Sequence, residues 1–299
     1  KKKILISTGG SGGHVIPAKI LIDHLNYNFE VIISTDKRGE KYLKDVANKK
    51  IKIYTPKLNN LYLLPLNLVK IFFLTFKSLF ILKKNQIDIL VSTGGYMSLP
   101  LCLAAKILLV KIFLLEPNMI LGRANNFFLH FSEKIFCYTN SIKNFPSKFF
   151  KKIVLINPLV RFMFYEKLNN NIKKDKFNFL VIGGSQGANI FDFEIKDSFK
   201  EISKSFPIKV THQTSEQNVE KLKDFYFNHN IDCYVFSYEE NFFNIMNKTD
   251  FCITRGGAST LAELSLMNIP FLVVPLPTAK DNHQFENALY YKITIVVGL

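Results

Sequence analysis

The segment STGGSGGHVIP (residues 7–17) places Gly9, Gly10, Gly12 and Gly13 around Ser11 and follows them directly with His14. Glycines after an apolar run let backbone N–H groups crowd around an oxyanion, and a following helix adds the positive end of its dipole. The chemistry this predicts is capture of a phosphate. A histidine behind such a turn opens a helix, where the dipole disfavours a second positive charge and keeps the imidazole neutral. A neutral imidazole suits a general base. The turn is not a full dinucleotide fingerprint, because Val15 stands where the third glycine belongs. Asp36, after VIIST, keeps a ribose-binding acid and thus an NAD reading available.

Three further stretches repeat the logic. STGGYMSLP (92–100) offers Gly94, Gly95 and Tyr96, and GGSQGA (183–188) offers another glycine turn containing Ser185. RGGASTLAE (255–263) joins Arg255 and two glycines to a helix start. There the T-L-A-E spacing of Thr260 and Glu263 matches a capping box, which would occupy both side chains at a helix end. The other use for Glu263 is to accept the paired hydroxyls of a ribose. KDNHQFENA (280–288) gathers polar side chains, including Gln284, after an apolar run.

The elements that must hold these turns are short apolar runs alternating with helical stretches. Strands are expected at 3–7, 30–35, 88–93 and 111–116, then at 177–184, 208–213, 250–254 and 270–275. Continuous rather than alternating apolar runs fit parallel strands covered on both faces, hence an α/β, doubly wound chain. The halves rhyme, ILISTGGSGGHV against FLVIGGSQGANI, which predicts two Rossmann-like domains facing a cleft. The expected boundary is near Asn157–Pro158, giving domains 1–157 and 158–299, with the polar NNNIKKDK (169–176) as a nearby surface loop.

At 299 residues, 48% apolar and 21% charged, the chain is long enough for two cores and too apolar for wholesale disorder. A net charge of +15 points to anionic partners: nucleic acid, an anionic membrane or phosphorylated substrates. The richness in Lys, Asn, Ile and Phe also fits plain AT-rich coding. Cys102, Cys137, Cys233 and Cys252 show no metal spacing and read as free thiols in a reducing cytoplasm. ILIS is too short for a signal-peptide core. The first residue is not Met and the sequence stops within YYKITIVVGL, so a missing C-terminal end is expected.

LYLLPLNLVKIFFLTFKSLFIL (61–82) is intensely apolar, yet Lys70, Lys77 and Lys84 recur at seven-residue spacing. On a helix this makes a narrow basic stripe beside a wide apolar face, the pattern of a helix lying in a membrane interface. Leu68, Ile71, Phe72, Phe76 and Leu79, with Lys70 and Lys77, are the expected membrane contacts. The competing reading is a core helix between layers.

Taken in order, TGGSGGHVIP, TGGYMSLP, LEPNMILGRAN, NPLVR, GGSQGAN, RGGASTLAE and KDNHQFENA resemble the MurG family, from Lys3 to about Ala288. These enzymes transfer N-acetylglucosamine from UDP-N-acetylglucosamine to lipid I, giving lipid II for peptidoglycan. The resemblance implies a GT-B-type fold, no cofactor or obligatory metal, no nucleic-acid partner, and a peripheral position on the cytoplasmic face of the bacterial inner membrane. It assigns Ser11, Gly12, Gly13 and Asn118 to the sugar donor or the acceptor's diphosphate, with Gly10, Gly94, Gly95 and Tyr96 on the acceptor side. Arg161 and Ser185 would hold UDP, while Ala258, Ser259, Thr260, Leu261, Ala262 and Glu263 take its phosphates and ribose, and Gln284 the sugar hydroxyls. Two positions depart from the family. LEPN stands where His-Glu-Gln-Asn is usual, putting Pro117 beside the sugar, and the uracil-contacting position falls at Glu239. The family also continues past residue 299 with helices that return to the first domain.

In this scheme the acceptor's C4 hydroxyl attacks the anomeric carbon in one displacement, inverting it. His14 is either the base that removes the hydroxyl proton or a donor to the acceptor's diphosphate. Arg161 and the helix starts after Gly183 and Gly257 would stabilise the leaving UDP. The alternatives are a UDP-N-acetylglucosamine 2-epimerase-like isomerase, a transferase for another lipid acceptor, an NAD-dependent dehydrogenase, and a non-catalytic membrane subunit.

Overall fold

The computed structural model describes residues 1–299 except 57–61, 162–163, 165–174, 184–189, 240 and 295–299. The chain divides into two compact units, Lys1–Val160 and Arg161–Leu299. Of the expected surface loop at 169–176, residues 169–174 lie outside the described residues.

The first unit is built on a seven-stranded sheet whose paired strands all run parallel. In chain order the strands are β1 (Lys3–Ser7), β2 (Glu30–Thr35), β3 (Lys50–Lys52), β4 (Ile89–Ser92), β5 (Lys111–Glu116), β6 (Lys134–Cys137) and β7 (Ile153–Leu155). Their spatial order is β3-β2-β1-β4-β5-β6-β7. The order reverses direction at β1, so the loops after β1 and β4 diverge at the carboxyl ends of the strands, where ligands sit in open α/β sheets. The registers Ser7↔Ser34 and Ser7↔Ser92 bring these ends level. Apolar side chains cover both faces: Ile4, Ile6, Val15, Ile22 and Ile33 pack on one, Leu5, Leu90, Leu101, Leu114 and Phe128 on the other.

The second unit repeats the plan with β8 (Phe177–Ile182), β9 (Ile208–Gln213), β10 (Asp232–Phe236), β11 (Phe251–Thr254) and β12 (Phe271–Val273), in the order β10-β9-β8-β11-β12. All of its pairs are parallel as well. Four strands escape the sequence reading: β3 (KIK), β6 (KIFC), β7 (IVL) and β10 (DCYVF). Three are only three or four residues long. The fourth, β10, is an edge strand whose outer residues are polar or half-exposed.

Helices α1 (Gly12–Leu25), α2 (Lys37–Glu40), α3 (Leu64–Lys84), α4 (Leu99–Ile107) and α5 (Arg123–Phe128) belong to the first unit. The 21-residue α3 is long and apolar enough to cross a membrane by length and composition. It lies against the unit on an unusual face. Its buried stripe is Asn67, Ile71, Thr75, Ser78, Ile81 and Leu82. Thr75 and Ser78 return their hydroxyls to the carbonyls of Ile71 and Leu74, 2.9 and 2.7 Å away, so the small polar side chains are satisfied within the helix. Leu66, Leu68, Val69, Phe72, Phe73, Phe76 and Phe80 are exposed. Two expected membrane contacts are therefore corrected: Ile71 is buried and Leu79 packs against the core beneath. The basic stripe keeps to the outer side, with Lys70 and Lys77 exposed.

Candidate functional site

In the first unit three loop ends meet at the start of α1. The His14 ring nitrogen Nδ1 lies 2.9 Å from the carbonyl oxygen of Thr93. A carbonyl only accepts, so Nδ1 carries the hydrogen; in the neutral ring Nε2 is then the nitrogen with the lone pair, as a general base requires. Thr93 is itself tied down: its hydroxyl donates to Thr8 Oγ1 at 2.9 Å, and the Thr8 hydroxyl donates to the carbonyl of His14, also at 2.9 Å.

The Gly94–Gly95 turn is shaped by that ring. Both glycines have positive φ, 87° and 85°, and a Cβ on either would stand 3.4–3.6 Å from the imidazole. At Gly95 the same Cβ would come within 2.5 Å of Met97 Sδ. The turn thus holds the histidine as much as it offers donors. The Gly94 N–H donates to Ser92 Oγ at 3.2 Å, which removes it from the expected diphosphate contacts and leaves Gly95 and Tyr96 there.

Gly10 is corrected in the same way. Asp36 Oδ1 accepts from the N–H groups of Gly10 and Gly39, each at 2.8 Å. That carboxylate braces the glycine turn from below and is nearly buried, so it is not placed to grip a ribose and the dinucleotide reading falls. Ser11 caps α1 with no side-chain hydrogen bond. The first amides of α1, at Gly12 and Gly13, have no acceptor within the helix.

Glu116 is a residue the sequence reading passed over. It ends β5, is 3% exposed, and its Oε2 accepts from Gly122 N at 2.8 Å and Asn125 Nδ2 at 3.0 Å. Its Oε1 accepts the side-chain amide of Asn118 at 3.0 Å. The Asn118 carboxamide is oriented by this bond, so its Oδ1 points away from the carboxylate. Pro117, between them, is buried. A buried acid receiving several amides was legible only as one letter of LEPN.

In the second unit, α9 (Ala258–Leu266) starts after Gly257 with no side-chain cap. Helices α6 (Lys196–Ser203), α7 (Val219–Asn228) and α8 (Phe242–Met246) precede it, and α10 (His283–Thr294) follows. Thr260 is the third residue of α9, so the capping-box reading is wrong. Glu263 instead pairs with Arg161: Nε reaches Oε1 and Nη2 reaches Oε2, both at 2.7 Å. The guanidinium also lies 5.0 Å from the Phe164 ring centroid and 5.2 Å from that of Phe242. Ala258, Ser259 and Thr260 carry the unsatisfied first-turn amides. Leu261 bonds back to Gly257 O and, with Ala262, is buried, so these two pack the helix down and offer no side chain to a donor.

Gln284 Oε1 accepts from Leu276 N at 2.8 Å, leaving its NH2 group as the donor. The backbone of α10 approaches so closely that a Cβ on Gly256 would overlap the carbonyl of Gln284. Arg255 donates to the Val274 and Pro275 carbonyls and is a brace, with burial lowering its pKa. Glu239 folds back on Tyr234 OH and Asn241 N, both at 2.8 Å. Ser185 lies outside the described residues. No cluster of three His, Cys, Asp or Glu able to hold a metal occurs among the described residues, and the four cysteines are unpaired.

Two parallel α/β units with phosphate-type turns at their strand ends are the build of GT-B nucleotide-sugar transferases. The Glycosyltransferase family 28 N-terminal domain matches residues 4–137 and the family 28 C-terminal domain residues 178–292. A protein of Pelagibacter ubique named "UDP-N-acetylglucosamine--N-acetylmuramyl-(pentapeptide) pyrophosphoryl-undecaprenol N-acetylglucosamine transferase" is 54% identical over 291 residues, 97% of this chain and 82% of that one. A MurG crystal structure from Acinetobacter baumannii superposes with a TM-score of 0.76 at 24% identity, covering 100% of this chain and 85% of that one. The UDP-GlcNAc 2-epimerase of Neisseria meningitidis shares the fold at a TM-score of 0.63 and 15% identity, covering 98% and 92%. The chain belongs to the MurG family of glycosyltransferases.

Proposed function

We propose that the chain transfers N-acetylglucosamine from UDP-N-acetylglucosamine to the C4 hydroxyl of N-acetylmuramic acid in lipid I, producing lipid II for peptidoglycan synthesis. The observation that carries this is the 54% identity, across nearly the whole chain, to a transferase named for that donor and acceptor. The 2-epimerase alternative rests on a shared fold at 15% identity, which speaks to architecture and not to reaction.

In the proposed mechanism His14 is the base. Its Nδ1–H is held by Thr93 O, so Nε2 receives the hydroxyl proton as the oxygen attacks the anomeric carbon. The UDP–sugar bond breaks in the same displacement, which inverts that carbon and gives a β-linkage. Charge growing on the UDP phosphate is met by the first-turn amides of α9 and by Arg161. Asn118 and Gln284 address sugar hydroxyls through a carbonyl and an NH2 group respectively. This scheme assigns no step to a metal.

The lipid acceptor requires the enzyme to meet a membrane, and the exposed face of α3 supports this: seven large apolar side chains outward, with Lys70 and Lys77 beside them. We assign this face to the anionic cytoplasmic surface of the bacterial inner membrane, as a peripheral contact. The test is incubation with labelled UDP-N-acetylglucosamine with and without lipid I. Transfer only when lipid I is present is the expected result; epimerised sugar nucleotide without lipid would overturn the reading.

A further inference from the structure

The glycine turns around His14 offer neutral amides, and two of those, at Gly10 and Gly94, are already bonded within the protein. A diphosphate carries at least two negative charges, so a site made only of amides leaves most of that charge unanswered. The first-turn amides of α1 help through the dipole, worth a fraction of a full charge. A cation is needed, and the short helix after β2 contains one that the sequence reading did not single out.

Arg38 is the second residue of the short helix α2, which follows β2. Its Nη2 donates to Tyr96 OH at 2.8 Å, and its Nε lies 3.6 Å from Asp36 Oδ2. The same Nη2 is 3.5 Å from where a Cβ on Gly10 would stand. One guanidinium therefore lies beside both glycine turns, next to Gly10 before α1 and bonded to Tyr96 before α4. Asp36 is committed through Oδ1 to two backbone amides, so it anchors the near edge of the guanidinium without enclosing it. The far nitrogen, Nη1, has no acceptor among the described residues, and the Arg38 side chain is 50% exposed. A half-exposed arginine fixed at one edge, with the other edge of its fork open, is preorganised for a phosphate.

We propose that Arg38 binds the diphosphate of the lipid-linked acceptor, with Tyr96 as the residue that aims it. The inference rests on the transferase reading above and adds a cation to its acceptor side. Lysine in place of Arg38 would keep the charge but lose the two-nitrogen fork that bridges Tyr96 and a phosphate oxygen.

The experiment measures steady-state transfer by Arg38→Ala, Arg38→Lys and Tyr96→Phe with a soluble short-chain lipid I analogue, alongside binding of UDP. Arg38→Ala should raise KM for the acceptor about tenfold or more, with KM for UDP-N-acetylglucosamine and UDP affinity within about twofold of wild type. Arg38→Lys should recover part of the loss, and Tyr96→Phe should show a smaller rise in the same direction. A monophosphate version of the acceptor separates charge recognition from folding. Wild type should prefer the diphosphate, and Arg38→Ala should lose most of that preference. Unchanged acceptor KM, or an equal rise for donor and acceptor, overturns the assignment. Wild-type protein that binds the analogue but transfers nothing overturns the transferase reading instead; acceptor affinity of the variants then judges Arg38 by itself.

Discussion

Arg161 and Glu263 form a two-point ion pair, both nitrogen–oxygen distances 2.7 Å, with the Glu263 side chain 4% exposed and that of Arg161 29%. The pair ties the first residues of the second unit to α9, the helix whose first-turn amides the proposed mechanism turns to the donor. Each carboxylate oxygen keeps a second lone pair, so in the proposed donor site the arginine can orient Glu263 and still leave it free to accept from a ribose hydroxyl. Glu263→Gln removes the charge that holds Arg161 and leaves one nitrogen facing an NH2 group. The expected result is a loss of about 1–3 kcal/mol in urea unfolding, reduced from a fully buried pair by the solvent reaching Arg161. UDP affinity should fall about tenfold or more in calorimetry. Lower stability with unchanged UDP affinity would mean that the carboxylate serves only the fold.

His14 is held at Nδ1 by a carbonyl, which fixes what its other nitrogen can do. His14→Ala should lower kcat about 100-fold or more while UDP binding stays near wild type. If the histidine instead donates to the acceptor's diphosphate, the loss will fall on acceptor KM with kcat little changed. Initial rates over a range of lipid I concentrations separate the two.

Gly95 tests the scaffold beneath that histidine. Its φ of 85° and ψ of 151° lie in a region nearly confined to glycine, and a side chain there would meet Met97 and the imidazole. Gly95→Ala should cost about 1–3 kcal/mol of stability from backbone strain. It should also lower turnover by moving the His14 ring, an effect visible at temperatures where the variant remains folded. A stable variant with normal turnover would show that the turn tolerates a shift the structure does not allow for.

Much of this site was legible because its parts are local. STGGSGGH and STGGYMS each carry a strand end, a turn and a helix start within a dozen residues, so the glycines and His14 could be read directly. What could not be read was pairing across distance. Glu263 looked like half of a capping box with Thr260, but its partner is Arg161, 102 positions away. Gly10 and Gly94 looked like free donors until Asp36 and Ser92 took their N–H groups. The same limit explains α3: its composition is plain, but only packing decides that the threonine and serine side turns inward and the phenylalanines outward. Short edge strands such as β3 and β7 are stabilised by neighbours and leave almost no trace in their own residues.

Asp192 supplies a prediction in pH. It sits in a π-helical turn ahead of α6, buried, receiving Thr214 Oγ1 at 2.6 Å and Asn218 Nδ2 at 2.8 Å, with His212 Nε2 at 3.3 Å. Burial pushes its pKa up, but the contacts from His212, Thr214 and Asn218 outweigh that and leave it below the ordinary 3.8. A carboxyl depressed on folding stabilises the protein above its unfolded value and loses that contribution as pH falls through the folded one. Wild type should therefore exceed Asp192→Asn in stability at neutral pH, by about 1–3 kcal/mol, and the gap should narrow below about pH 4. Urea melts of both proteins from pH 7 down to 3 provide the comparison; a constant gap would remove the carboxylate charge from the explanation.

The outward face of α3 is the last element to be tested, and the prediction separates surface from core. Phe72 and Phe76 are 59% and 55% exposed, and their rings touch edge to face with centroids 4.8 Å apart. Replacing either by aspartate removes little packing, so melting temperature should change by only a few degrees. Membrane insertion of each ring is worth about 1–3 kcal/mol, and the new charges are repelled by an anionic surface. Phe72→Asp/Phe76→Asp should thus lower flotation with anionic liposomes by about tenfold or more. Transfer to a soluble acceptor analogue should be preserved, because neither ring belongs to the His14 site. Lys70→Glu/Lys77→Glu should weaken flotation chiefly at low salt, where unscreened charge acts across the surface. Ile71→Asp is the internal control: Ile71 is buried, so that variant should unfold rather than merely detach. Equal loss of stability in all three variants would make α3 a core helix after all.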